Sequence, residues 1–438
     1  MQFISTDFLS KKNLLSLVLA LFPISFIAGN MIININIILL LLLTLFFYKS
    51  EIFKINYFLL DKLIISYFIL IIFTGFYNHY FYSLENIKSF VAPPEKSLLF
   101  LRYLALYLFL RFLVEKKLIN LKFFFISCTF ATVFVSLDIF YQYYNGKDIF
   151  GFETIGDGRK LGGPFGDELI AGGFIQKFAL FSFFLLPIFF PNYSYKISKF
   201  LVPLLFLIFM FGVMLSGNRM PMILFILTVF LIVLFQKQTR KFFIPFLIIF
   251  LFSFFLLFNF NEQVRTNLKT FNVQLIKMKS LIVNKDFYNY NNTTYLREFS
   301  TFYETWLMNK YIGGGIKNFR FYCHHRPKVD KNSKFICNMH PHNYYLEILT
   351  ETGILGFIII LSIFGNALYL SFFKKYFTSS SLRHNNVIIP FIFLFIAEIF
   401  PVKSTGSFFT TGNSTYLFLI IGIMIGLIRS NNLIEKKI

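Results

Sequence analysis

Long apolar runs separated by short polar loops make up most of the chain. Runs that approach the length of a membrane crossing lie at residues 14–28, 31–47, 58–76, 97–114, 123–143, 169–190, 200–215, 220–235, 242–260, 344–373, 387–400 and 415–428. The pattern predicts about twelve helices. A full span wants roughly 20 apolar residues, and several runs are shorter, so their ends are soft. The first run follows Lys11 and Lys12 and looks like a signal peptide. It lacks a small-residue cleavage site and a second run follows at once, which favours an uncleaved anchor.

The loops between these runs alternate in charge. Lys49 and Lys54, Lys116 and Lys117, Lys196 and Lys199, Lys237, Arg240 and Lys241, Lys374, Lys375 and Arg383, and Arg429, Lys436 and Lys437 all fall on one side, with Lys11 and Lys12. Short basic loops stay in the cytoplasm. Of the short loops on the other side, 29–30 carries no charge and 402–413 carries only Lys403. The chain then divides into nine helices over 1–260, one large periplasmic loop over 261–341, and three helices over 342–438.

Composition supports this architecture. Of 438 residues, 56% are hydrophobic, 21% aromatic and only 14% charged, a profile of an all-α polytopic membrane protein. The net charge of +21 would suggest nucleic acid in a soluble protein. Here it follows the loop alternation, and no nucleic-acid partner is expected. The 261–341 loop differs, with thirteen Lys or Arg against five Asp or Glu. A long loop can be translocated despite its charge. Its basicity reads either as a solvated surface or as a site for an anion such as a phosphate. Cys323 and Cys337 lie in this loop, fourteen positions apart, and can pair in an oxidising compartment. Cys128 sits inside an apolar run.

Candidate chemistry gathers at the outer ends of the helices. The stretch 339–356, MHPHNYYLEILTETGILG, places His340 and His342 before Asn343, a plausible helix N-cap, with Glu347 and Glu351 in the turns that follow. Polar groups at the mouth of a membrane helix are costly, which points to use. Arg219, in GNRMP, is either a snorkelling interfacial arginine or a ligand contact. Arg297 opens an amphipathic segment, 296–307, that is followed by Gly313, Gly314 and Gly315; backbone amides in such a turn can bind an anion. Arg159, Lys160, Asp167 and Glu168 lie at the mouth of the sixth run, with Asp138 near the end of the fifth. His324, His325, His340 and His342 near two cysteines allow a zinc site, but match no familiar spacing. Glu398 lies inside an apolar run without an evident role.

The stretch HPHNYYLEILTETGILG resembles the signature of the O-antigen ligase and O-antigen polymerase superfamily. RKLGGPFGDELIAGGFI is similar to its Arg-x-x-Gly-x-Phe segment, SGNRMP to its Ser-x-x-Arg turn, and YLREFSTFYETWLMNKYIGGGIKNF to the Arg, Trp and Gly-x-Gly run of its large periplasmic loop. FPVKSTGSFFTTGNS has the look of the last outer loop. The basic insert 323–337 departs from the pattern.

The resemblance implies a GT-C-like glycosyltransferase of the bacterial inner membrane, its active site facing the periplasm, with no cofactor and no metal. The donor would be a glycan on a polyprenyl (undecaprenyl) pyrophosphate, and the acceptor a lipid A-core hydroxyl for a ligase or a second lipid-linked glycan for a polymerase. A flippase is the distant alternative, but would place charges near mid-membrane. By the resemblance, Arg219 and Arg297 bind pyrophosphate as bidentate forks, and His342 activates the acceptor. Arg159, His340, Asn343 and Glu347 are further substrate contacts.

Overall fold

The computed structural model describes residues 10–81, 93–154, 160–190, 194–236, 294–326, 337, 342–377, 386–404 and 406–435, with scattered positions between 244 and 276. Fourteen α-helices are defined among them. They are α1 Lys11–Ala20, α2 Phe22–Ala28, α3 Asn30–Tyr48, α4 Leu59–Phe81, α5 Pro93–Glu115, α6 Leu121–Asn145, α7 Ala171–Phe189, α8 Ser194–Leu215, α9 Arg219–Phe235, α10 Thr294–Met308, α11 Phe319–Tyr322, α12 Tyr344–Leu368, α13 Ile388–Glu398 and α14 Thr411–Glu435. Local chemistry sets several ends. Ser10 caps α1 by accepting from the Asn13 amide, Asn120 caps α6 by accepting from the Lys122 amide, and Gly146 closes α6 in the left-handed region.

Among the described residues, eight helical segments are long and apolar enough to cross a membrane: Lys11–Ala28, Asn30–Lys54, Leu59–Phe81, Pro93–Glu115, Leu121–Asn145, Ala171–Phe189, Tyr344–Lys374 and Thr411–Ser430. The protein is therefore a polytopic all-α membrane protein. Eight of the expected twelve spans are thus present among the described residues. Phe200–Leu215, Arg219–Phe235 and Ile388–Glu398 are apolar but shorter, and 242–260 is described only at scattered positions. The shortest of these is α13. Eleven residues rise about 16 Å, against a hydrocarbon core of about 30 Å. Residues Ile388 to Phe395 are all buried among other helices, so α13 need not meet lipid along its length.

Helix α14 forms the centre and lies along α5. A Cβ on Gly426 would crowd Val114 and the Arg111 carbonyl, and one on Gly422 would press on Tyr107, so the small residues let two backbones approach closely. Helix α3 is peripheral, with Met31, Leu42 and Phe46 exposed, as a lipid-facing helix requires.

Cross-helix contacts sort into two ends. At one end the Asn120 amide donates to Ser16 Oγ at 2.7 Å, and Lys122 stands 4.2 Å over the Phe190 ring. Here a charged cluster lies within the span ends: Arg111 pairs with Asp61 at 2.5 Å and Glu115 at 3.3 Å, and Arg429 reaches Glu115 at 3.7 Å. Arg111 also donates to the Asn56 carbonyl, and the Tyr107 hydroxyl to Asp61. These residues belong to the end assigned to the cytoplasm by loop charge. At the other end α4 and α5 meet residues 309–322, α6 holds Ile149 and Gly163, and α12 meets Pro401, Lys403, Ser407 and Phe408.

Candidate functional site

The outer end of α12 is built by its cap. The Asn343 side chain accepts from the amides of Tyr345 and Leu346, while its Nδ2 donates to the carbonyls of Pro401 at 2.9 Å and Lys403 at 3.3 Å. One residue thus starts the helix and ties it to the loop before α14. His342 stands immediately before this cap and is exposed.

One turn later Glu347 is buried. Its two carboxylate oxygens accept from the Ser407 hydroxyl and from the Phe408 amide at 2.5 Å. Below it Glu351 accepts from the Lys317 amide at 2.6 Å. The two acids therefore each fasten one outer segment to α12.

The glycine run has a definite task. At Gly353, φ is 65° and ψ −172°, and α12 breaks. The carbonyls of Thr350 and Glu351, which a regular helix would bond to Ile354 and Leu355, accept instead from the amides of Gly314 at 3.0 Å and Gly315 at 2.9 Å. The freed amides of Ile354 and Leu355 donate to the carbonyls of Lys310 and Tyr311. A loop is inserted into a helix, and every opened backbone group is satisfied, as an irregular backbone inside a membrane protein demands. Gly313 donates to the Asn309 carbonyl. All three glycine amides are therefore engaged, which corrects the reading of this turn as an anion cradle. Helix α4 clamps the same loop: Thr74 donates to the Ile312 carbonyl and Asn78 to that of Gly313, while Asn78 Oδ1 accepts from Asn309 and Tyr322.

Glu398, at the end of α13, accepts from Lys403 Nζ at 2.6 Å and from the Tyr344 hydroxyl at 2.6 Å, and Lys403 Nζ also donates to Tyr344 at 2.9 Å. All three are buried. Burial pushes the Lys403 ammonium down to about 8, with the Glu398 carboxylate opposing and Lys177 reinforcing the shift. Lys177 on α7 donates to Asn413 at 2.5 Å. Loop charge held one clue to this network, since Lys403 is the single cation in an otherwise uncharged outer loop.

The remaining predicted positions are spread along the same end. Arg219 is the first residue of α9 and is half-buried. A Cβ on Gly172 at the start of α7 would meet Ser216 and Asn218, so the starts of α7 and α9 are neighbours. Arg297 falls in the first turn of α10; its side chain, Arg159 and His340 lie outside the described residues. Helix α10 buries Thr301, Phe302 and Thr305 and exposes Phe299, Tyr303 and Leu307, the two faces expected of an amphipathic helix. Asp138 accepts from the Ile149 amide, and Gln142 from that of Gly163; both hold the outer segment over α6. Cys323 and Cys337 form a disulfide, with Cα atoms 5.8 Å apart, and Arg326 beside it pairs with Glu304 of α10 at 2.8 Å. The bond occupies both thiols of the conceivable zinc set.

Residues 204–361 match the O-antigen ligase family. No curated protein matches the chain. The matched segment begins in α8 and ends in α12. It takes in Arg219, Arg297, the glycine insertion and the capped start of α12, and it leaves out Arg159 and the loop that carries Lys403. Members of the O-antigen ligase family are membrane glycosyltransferases that act on lipid-linked glycans.

Proposed function

We propose that this protein is a ligase-type glycosyltransferase of the bacterial inner membrane, working at its periplasmic face. It moves a glycan from undecaprenyl pyrophosphate to a hydroxyl of the lipid A core. The observation that carries the reading is the exposed His342 immediately before the Asn343 cap, inside the segment matched to the O-antigen ligase family.

His342 takes the proton of the acceptor hydroxyl. The acceptor oxygen bonds to the anomeric carbon, and the bond from that carbon to the pyrophosphate oxygen breaks, its electron pair leaving with the pyrophosphate. Arg219 and Arg297 hold the pyrophosphate oxygens, where charge grows as the bond breaks; one such donor contributes on the order of 3 kcal/mol. Arg159 and His340 supply further substrate contacts. Asn343 and Glu347 act there through the loop they hold against α12. A general base of this kind contributes roughly 100- to 10,000-fold.

The test has two parts. In a deletion strain, lipid-linked polymer should accumulate while the lipid A core stays bare; a core carrying one repeat would indicate a polymerase instead. In a transfer assay with purified protein, His342→Ala should be inactive yet folded. Near-normal turnover of that variant would remove the base role.

A further inference from the structure

A second group of charges lies on α5 and on the segment after the glycine insertion. Lys96 lies in the first turn of α5, with Arg102 farther along it; Lys317 and Arg320 follow the glycine insertion. Lys96 Nζ donates to Asn318 Oδ1 at 2.9 Å and stands 5.1 Å over the Phe321 ring, and the Arg320 guanidinium lies 5.3 Å over the same ring. Arg102 turns back along its helix toward the outer end, donating to the Leu99 carbonyl and the Tyr103 hydroxyl at 2.8 Å. All four side chains are half-buried.

Ion pairing sets Lys96, Arg102 and Lys317 apart. Lys403 and Arg326 each have a carboxylate partner. Among the described residues, no carboxylate lies within ion-pair distance of the side chains of Lys96, Arg102 or Lys317. The nearby acid, Glu351, accepts from the Lys317 amide and supplies negative charge to Lys96 and Lys317 without an ion-pair contact. Burial holds the Lys317 ammonium below the ordinary lysine range; Glu351 opposes the shift, and Arg102 and Arg320 add to it. Lys317 also adopts φ of +57°, a conformation a lysine rarely takes. Lys96, Arg102 and Lys317 outnumber the acids beside them, Glu351 and Glu347, and such an excess of half-buried positive charge is unfavourable unless an anion joins it.

We propose that Lys96, Arg102, Lys317 and Arg320 form a phosphate-binding site at the outer membrane face, which takes the head group of a lipid. A phosphate offers several acceptor oxygens to such a cluster. It can come from the carrier lipid's pyrophosphate, which rests on the proposed function, or from an anionic membrane lipid, which does not.

The experiment uses the full-length protein in phosphatidylcholine nanodiscs. One arm measures binding of farnesyl pyrophosphate; the other counts phosphatidylglycerol retained by the purified protein in native mass spectrometry. Lys96→Gln and Lys317→Gly each weaken the affected arm about tenfold, and Lys96→Arg keeps it. Glycine adopts the Lys317 backbone conformation without strain, so Lys317→Gly serves where Lys96→Gln fails to fold. A loss confined to farnesyl pyrophosphate assigns the site to the carrier lipid, and one confined to phosphatidylglycerol assigns it to a membrane lipid. Folded variants that match the parent in both arms overturn the site, as does a Lys96→Arg variant as weak as Lys96→Gln. No transfer is measured, so an inert His342→Ala enzyme that still binds both probes separates this inference from the catalytic reading.

Discussion

Tyr311 and Gly353 meet backbone to backbone: the Tyr311 carbonyl accepts from the Leu355 amide at 3.2 Å and lies where a Cβ on Gly353 would stand. The contact joins the large outer loop to the break in α12, and it admits only glycine. Gly353→Ala would both strain a φ of +65° and overlap the carbonyl. It should cost at least about 2 kcal/mol, seen as a lowered thermal unfolding midpoint in detergent. An unchanged midpoint would mean that the loop is not inserted there.

The Glu398–Lys403 pair gives a second expectation. Removing either partner strands a buried charge, so Glu398→Leu or Lys403→Met alone should each cost roughly 3–5 kcal/mol. The double variant should recover much of that loss, because neither member of the pair is then left without the other. A double-mutant cycle on unfolding checks this, and simple additivity of the two losses would contradict the pairing.

At the opposite end, Arg111 depends on Asp61, and both side chains are fully buried. Asp61→Leu leaves Arg111 with Glu115 alone and should destabilise the bundle by about 3 kcal/mol or more. The measurement is the amount of folded protein in membranes, which should fall severalfold. Transfer per folded molecule should hold, since this cluster sits far from the outer loops.

Arg219→Lys tests the proposed pyrophosphate grip. A lysine keeps the charge but lacks the planar fork. Turnover should drop on the order of 100-fold, with protein abundance unchanged. Parent-like turnover would take Arg219 out of the reaction.

The helices were legible because each apolar run must satisfy its own backbone in lipid, and because basic loops mark one side. The Asn343 cap was legible too, since a cap is a bond between residues two and three apart. Glu398 resisted reading for the opposite reason: Tyr344 comes from a separate helix and meets it only after the helices pack, and Lys403, though five residues on, must fold back from the loop to reach it. The glycine run shows the same limit. Three glycines announce a tight backbone, but a free turn and a loop threaded into a broken helix look alike along the chain.

By itself, then, the amino-acid sequence determined the membrane class, the alternation of ends, the start of α12 and the family of the segment around Arg219, Arg297 and His342. These rest on local hydrophobicity, local capping and residue order. Only the tertiary structure decided which buried charges are partnered, that Glu347 and Glu351 fasten two outer segments to one helix, and that Lys96 and Lys317 face each other's surroundings from distant positions. Coulomb pairing and backbone insertion depend on distance through space, and spacing along the chain carries no record of that distance.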